Sequence, residues 1–247
     1  MRATVIHAAR DIRLDEVPDP VIQRPTDAIV KIAASCVCGS DLWPYRGISR
    51  LPEPKRIGHE LVGVIEEVGA DVTTLRPGDF VIAPFAVSDG TCVNCCNGIT
   101  SSCVNGAFFS FNGADGPMDG GQGEWARVPQ ADGTLVKVPE YPDEELIPSL
   151  LTLSDVMATG HHAAVSAEVS PGDVVVVVGD GAVGLSAVLA SARLGAERIV
   201  LMSRHADRQA VGRSFGATDI IEERGADAVG RLQELLGAPG ADATLEC

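Results

Sequence analysis

Long apolar runs and basic residues are what this chain lacks. No stretch of about twenty apolar residues occurs, so nothing in it reads as a helix long enough to span a bilayer. Lysine and arginine number 19 against 34 aspartates and glutamates, a formal net charge of −15. Nucleic acids and anionic membrane surfaces attract the opposite balance. Neither is therefore expected as a partner, and the acidity reads as a solvated, soluble surface. The start, Met1-Arg-Ala-Thr-Val-Ile-His7, is broken by charge too early for a secretory leader, so a cytoplasmic location is expected. In a reducing compartment, the 7 cysteines point to metal ligands or core thiols rather than disulfides.

The 247 residues, 45% of them hydrophobic, suffice for one large domain or two ordinary ones. Short apolar runs at 28–33, 61–68, 79–84 and 126–129, parted by Gly, Pro and Asp clusters, predict a β-rich first part. Residues 86–123 are rich in Gly, Ser, Asn and Cys and show no helical period. So long an irregular stretch is expected to be functional or pinned by something.

Near residue 145 the pattern changes. Residues 146–165 predict one helix, or two short ones, with Gly160 as a weak point. Then come strand 174–178, helix 182–194, strand 198–202, helix 206–215, strand 219–221, helix 226–236 and strand 243–246. That alternation predicts an α/β fold with a parallel sheet covered on both faces. Two domains are expected, 1–155 and 156–247. A dinucleotide fold is built from two β-α-β-α-β halves. The sequence supplies the first half and begins the fourth strand, so a chain cut short is expected; a small domain closed by another device is the alternative.

Gly179-Asp-Gly181-Ala182-Val183-Gly184 follows five consecutive valines and opens a helix. In that context the glycine spacing is a dinucleotide fingerprint. Its glycines serve a tight turn, close approach of backbone to a pyrophosphate, and close helix–strand packing. Backbone N–H groups at the start of the helix face the anion. An NAD enzyme places a carboxylate about twenty positions after the last glycine, for the ribose 2′-hydroxyl. Here Ser203 and Arg204 stand there. Serine and arginine can hold a 2′-phosphate, which a carboxylate would repel. NADP(H) is therefore expected in preference to NAD(H), with Arg208 as a further contact.

Four residues offer donors for a catalytic zinc, which takes N, S or O ligands and keeps one position open. Cys38 supplies a thiolate, His59 an imidazole and Asp155 a carboxylate, while Glu60 is a fourth ligand able to exchange with substrate. They lie far apart in the sequence, so spacing alone does not establish the site. A buried thiol, a core histidine and a helix cap are the alternatives for Cys38, His59 and Asp155.

Gly58-His59-Glu60-Leu-Val-Gly63-Val-Ile-Glu-Glu-Val-Gly69 resembles the signature of the zinc-containing alcohol dehydrogenases of the medium-chain dehydrogenase/reductase family. The likeness continues through Pro77-Gly78-Asp79, Asp155-x-Met-Ala-Thr-Gly160 and the nucleotide unit. With Asp155 as third ligand and Ser203-Arg204 after the second strand, the chain looks most like the NADP-dependent secondary-alcohol dehydrogenases. The resemblance implies an N-terminal GroES-like catalytic domain followed by an incomplete Rossmann domain. It also implies hydride transfer between NADP(H) and an alcohol, aldehyde or ketone, and a homodimer or homotetramer.

By the same resemblance, Ser40 hydrogen-bonds the substrate oxygen and starts a proton relay. Many relatives continue the relay with a histidine three residues later, where this chain has Trp43. His161 or His162 is an alternative route. Trp43 and Leu42 line a substrate pocket or pack in the core. Relatives bind a structural zinc with C-x2-C-x2-C-x7-C. Matching Cys92, Cys95 and Cys103 to its last three places puts Asp89 at the first. A carboxylate can ligate zinc, so a structural ion is expected there; three free thiols are the alternative. A zinc-free quinone-type reductase and a non-catalytic remnant of a dehydrogenase complete the alternatives for the chain as a whole.

Overall fold

A computed structural model describes residues 1–49, 54–113, 116–237 and 240–247. The chain divides into two compact units, Met1–Asp155 and Val156–Cys247.

The first unit runs through β1 (Arg2–Ala8), β2 (Asp11–Glu16), β3 (Ala28–Ser35), α1 (Leu42–Tyr45), β4 (Lys55–Arg56), β5 (Leu61–Val68) and β6 (Phe80–Ala83). After these come β7 (Ala86–Val87), α2 (Val93–Cys96), β8 (Ala107–Phe108), β9 (Asn112–Gly113) and β10 (Gly116–Pro117). The unit ends with β11 (Trp125–Val128), α3 (Ala131–Thr134), β12 (Val136–Lys137) and α4 (Ile147–Thr152). Its main sheet has the order β11-β3-β5-β6-β12, and a smaller one the order β2-β1-β4.

Period-two alternation explains why both faces of the main sheet are buried. From β5, Leu61 and Ile65 join Val30, Val81, Phe109 and Val128 in one cluster. The intervening Val62 joins Phe80 and Ile82 beneath Leu151 of α4 in another. The sheet thus anchors the residues at both ends of β5. His59 and Glu60, which immediately precede it, start from a rigid base.

The second unit contains α5 (Val156–Ser166), β13 (Val174–Val178), α6 (Ala182–Leu194), β14 (Arg198–Met202), α7 (Ala206–Phe215), β15 (Asp219–Ile221), α8 (Gly225–Leu236) and β16 (Ala243–Glu246). Its strands are parallel, in the order β15-β14-β13-β16. This is the order of one dinucleotide-binding half with the first strand beyond the switch point. Valines of β13 reach both sides, Val175 and Val177 toward α6 residues Ala187 and Val188, and Val176 toward Ala228 of α8. Burial on both faces is what a continuous valine run records.

The expected helix over 146–165 is two helices. They part at Leu153–Asp155, where the Ser154 hydroxyl donates to the Leu151 carbonyl at 2.6 Å. Gly160 is not a weak point. It lies inside α5 and is buried, and a Cβ there would stand 2.6 Å from the backbone nitrogen of Ala187. Its lack of a side chain is what lets α5 and α6 approach. Among the described residues, no helix is long and apolar enough to cross a membrane.

Candidate metal and cofactor sites

Three segments of the first unit meet at one point. Cys38 caps a short 3-10 turn, Gly39–Asp41, that follows β3. His59 and Glu60 precede β5, and Asp155 follows α4. One donor atom from each of Cys38, His59, Glu60 and Asp155 lies within 4.8 Å of the others. His59 Nε2 is 3.5 Å from Asp155 Oδ2, and Cys38 Sγ is 4.0 Å from the same oxygen. His59 and Glu60 are buried, 7% and 2% exposed.

The electrostatics call for a cation. Burial disfavours the His59 imidazolium, yet hydrogen bonds to Asp155 and Cys38, with the charge of Asp41, outweigh it and raise its pKa to about 10. The Cys38 thiol is held below its ordinary value, first by the hydrogen bond with His59 and then by the side chain and backbone of Ser40. Proton and thiolate are thus both favoured where carboxylates crowd. A divalent metal would satisfy the same anions at once.

Asp41 was not anticipated as a site residue. It is 7% exposed, accepts the Cys38 backbone N–H at 3.0 Å through Oδ2, and sets Oδ1 3.6 Å from His59 Nδ1. Nδ1 is buried with no hydrogen-bond partner at that distance. A small approach would close it, with Asp41 fixing the ring so that Nε2 faces the other donors. The available signal was the three-residue step from Cys38 to Asp41 across a turn.

The irregular stretch holds a second cluster. Asp89, Cys92, Cys95 and Cys103 also place one donor atom each within 4.8 Å of the others. The sulfurs of Cys92 and Cys103 are 3.9 Å apart. That is far beyond a disulfide bond. It is close to the edge of about 3.8 Å that Zn–S bonds of 2.3 Å give a tetrahedron. Asp89 accepts from Thr91 and Cys92 backbone N–H groups at 2.8 and 2.9 Å and from Asn105 at 2.7 Å. Those bonds, led by the Cys92 N–H, hold its carboxyl below the usual range. Burial and the neighbouring donors Cys92, Cys103 and Asp89 push the Cys95 thiol up to about 12. Cys96 is exposed and turns to the Thr91 carbonyl instead.

In the second unit, the fingerprint glycines behave as their spacing implies. Gly179 has φ of +117°, and a Cβ on Gly184 would stand 2.2 Å from the Gly179 carbonyl oxygen. Gly181 caps α6, and a Cβ there would meet open space. The first intrahelical bond shown at this end runs from Leu185 N to Gly181 O at 2.9 Å. The N–H groups of Ala182, Val183 and Gly184 therefore have no carbonyl within the helix, an arrangement suited to a pyrophosphate.

Beyond β14 an unanticipated carboxylate appears. Asp180, 7% exposed, accepts from the Ser203 hydroxyl at 2.8 Å and bonds His205 Nδ1 at 2.7 Å through Oδ2, while Oδ1 takes Arg208 at 3.1 Å. Burial opposes its charge, but the bonds to His205, Ser203 and Arg208 win and hold its carboxyl well below the usual range. Arg204 is exposed. The sequence rule looked for a carboxylate after the second strand and overlooked one within the fingerprint.

Trp43 is 57% exposed, which removes the core-packing alternative for it. His161 and His162 are both exposed, and His162 shares a 3.3 Å contact with Ser166 Oγ.

Residues 24–140 match the alcohol dehydrogenase GroES-like domain. Over its whole length the chain is 34% identical to an uncharacterized zinc-type alcohol dehydrogenase-like protein of Bacillus subtilis and covers 67% of it. It is 35% identical to a medium chain reductase/dehydrogenase of Acremonium sp and covers 85% of that protein. A solved alcohol dehydrogenase of Thermus sp. ATN1 is 32% identical, with a TM-score of 0.89 over all of this chain and 70% of its own. The chain belongs to the zinc-type medium-chain alcohol dehydrogenase family.

Proposed function

We propose that the chain carries the zinc and nucleotide sites of an oxidoreductase that interconverts an alcohol with its aldehyde or ketone using NADP(H). The convergence of Cys38, His59 and Asp155, with Glu60 beside them, is the observation that carries this reading. Bound zinc supplies Lewis acidity toward a hydroxyl or carbonyl oxygen, and the nicotinamide exchanges hydride.

Around these groups the chain's own residues do the rest. Cys38, whose thiol the bonds to His59 and Ser40 hold below its ordinary value, is the sulfur donor. Asp41 stands behind His59, 3.6 Å from Nδ1, placed to orient the ring on closing that gap. Ser40 is exposed beside Cys38 and is the hydroxyl assigned to hydrogen-bond the substrate oxygen and start a proton relay, releasing its own proton as it receives the substrate's. Ala182, Val183 and Gly184 offer N–H groups to the pyrophosphate. Asp89, Cys92, Cys95 and Cys103 are assigned to a second, structural zinc.

For NADP(H), the support is the exposed Arg204 where an NAD enzyme carries a carboxylate, with Arg208 nearby; the expected Ser203 contact is corrected, because its hydroxyl is buried and donates to Asp180. Asp180 neutralises part of this charge through Arg208 but leaves Arg204 facing solvent. Fluorescence titration of the chain with NADPH and NADH tests the preference: tighter NADPH binding is expected, and tighter NADH binding overturns it. NADPH oxidation with simple ketones, run on the zinc-loaded chain, tests the activity. Turnover that disappears with a chelator is expected. Equal turnover without metal favours a zinc-free reductase.

A further inference from the structure

Glu60 is 2% exposed, and its carboxylate lies beside residues able to hold a cation. A side-chain hydrogen bond to it comes from an unexpected source. Cys36 Sγ donates to Glu60 Oε2 at 3.0 Å. The backbone of Cys36 is fixed as well: its N–H reaches the Glu60 carbonyl at 3.4 Å, and its own carbonyl accepts from Gln122 Nε2 at 3.0 Å. The thiol is therefore aimed by two main-chain contacts.

A thiol is a weak donor, and a buried carboxylate is costly unless charge or strong hydrogen bonds compensate it. The Cys36 thiol thus draws Glu60 Oε2 aside, beside the place where a cation would sit. We propose that Cys36 is a positioning residue, a thiol latch that keeps the Glu60 carboxylate off the metal and so leaves the fourth place to substrate. Without the latch, Glu60 satisfies its charge on the metal. The inference rests on the zinc reading of this site.

Cobalt(II) loaded into the full chain in place of zinc reports coordination directly, because its visible spectrum follows ligand number and geometry. The part of the spectrum that Cys38→Ser removes belongs to this site. Cys36→Ala, and Cys36→Val as a volume-keeping control, are expected to lower the d–d absorbance of that part as an oxygen ligand is added and the site leaves tetrahedral geometry. Cys36→Ser keeps a donor and is expected to retain the parent spectrum. Cys36→Ala with Glu60→Gln is expected to return to it, since an amide is a poorer ligand. An unchanged spectrum in Cys36→Ala and Cys36→Val, at full cobalt occupancy, overturns the latch. So does an equal change in Cys36→Ser, which would make the effect one of packing. If Cys38→Ser removes nothing from the parent spectrum, the metal reading fails first and the latch with it.

Discussion

Asp155 Oδ2 stands 3.5 Å from His59 Nε2, although His59 precedes β5 and Asp155 follows α4, with all of β5 to β12 between them in sequence. Cys38 Sγ lies 4.0 Å from the same oxygen. Sulfur, nitrogen and oxygen donors thus share one small volume. Cys38→Ser and Asp155→Ala are each expected to remove one zinc equivalent per chain after dialysis, measured by elemental analysis. Retention of the parent zinc content would contradict the assignment.

Asp41 supports His59 without being a donor in the cluster. Asp41→Ala is expected to weaken zinc binding about 10- to 100-fold, the range seen when such supporting partners are lost. Competition with a chromophoric chelator reads this. Glu60→Gln is a control that leaves Asp41 in place and separates the two effects.

The second cluster gives an independent count. Two zinc ions per parent chain are expected, and Cys103→Ser should lose the one that Cys38→Ser keeps. A metal that closes the loop over 89–103 adds stability to the fold. Chelation is therefore expected to lower the melting temperature of Cys38→Ser further, and to leave that of Cys38→Ser with Cys103→Ser unchanged.

Asp180 gives a pH dependence. Its folded pKa lies below its unfolded one. The stability it contributes is therefore present above the unfolded value, about 4, and is lost as pH falls through the folded value. Asp180→Asn is expected to cost about 1.5–3 kcal/mol at neutral pH, the scale of a hydrogen bond to a charged group. Denaturant unfolding at a series of pH values should show the gap between parent and variant closing toward pH 2. A gap that is constant with pH would mean the carboxylate charge is not what stabilises this corner.

Gly160→Ala tests the contact between α5 and α6. With a Cβ set 2.6 Å from the Ala187 backbone nitrogen, the helices must part. A loss of about 1–3 kcal/mol is expected, the usual cost of overpacking, again by denaturant unfolding. A neutral or stabilising effect would show that the helices can separate freely.

The second unit was almost fully legible in the sequence, because β13 and β14 are buried on both faces and α6, α7 and α8 end at glycines. The predicted strands 174–178 and 198–202 and helices 182–194 and 206–215 coincide with β13, β14, α6 and α7. The first unit was less so. β2 is mostly exposed, so no apolar pattern marks it, and the pairing of β1 with β2 and β4 is set by register rather than composition. Donors of the metal clusters could be named from residue type and resemblance. Asp41, Cys36 and Asp180 could not, because each acts on a neighbour that only folding brings close. The break at Leu153–Asp155, read as an ambiguity between one helix and two, is what frees Asp155 to face His59.

Anomalous diffraction from crystals of the zinc-loaded chain, recorded at the zinc absorption edge, addresses the central claim most directly. A peak bonded to Cys38 Sγ, His59 Nε2 and an Asp155 carboxylate oxygen is the expected result. No peak among those three side chains at saturating zinc would contradict it.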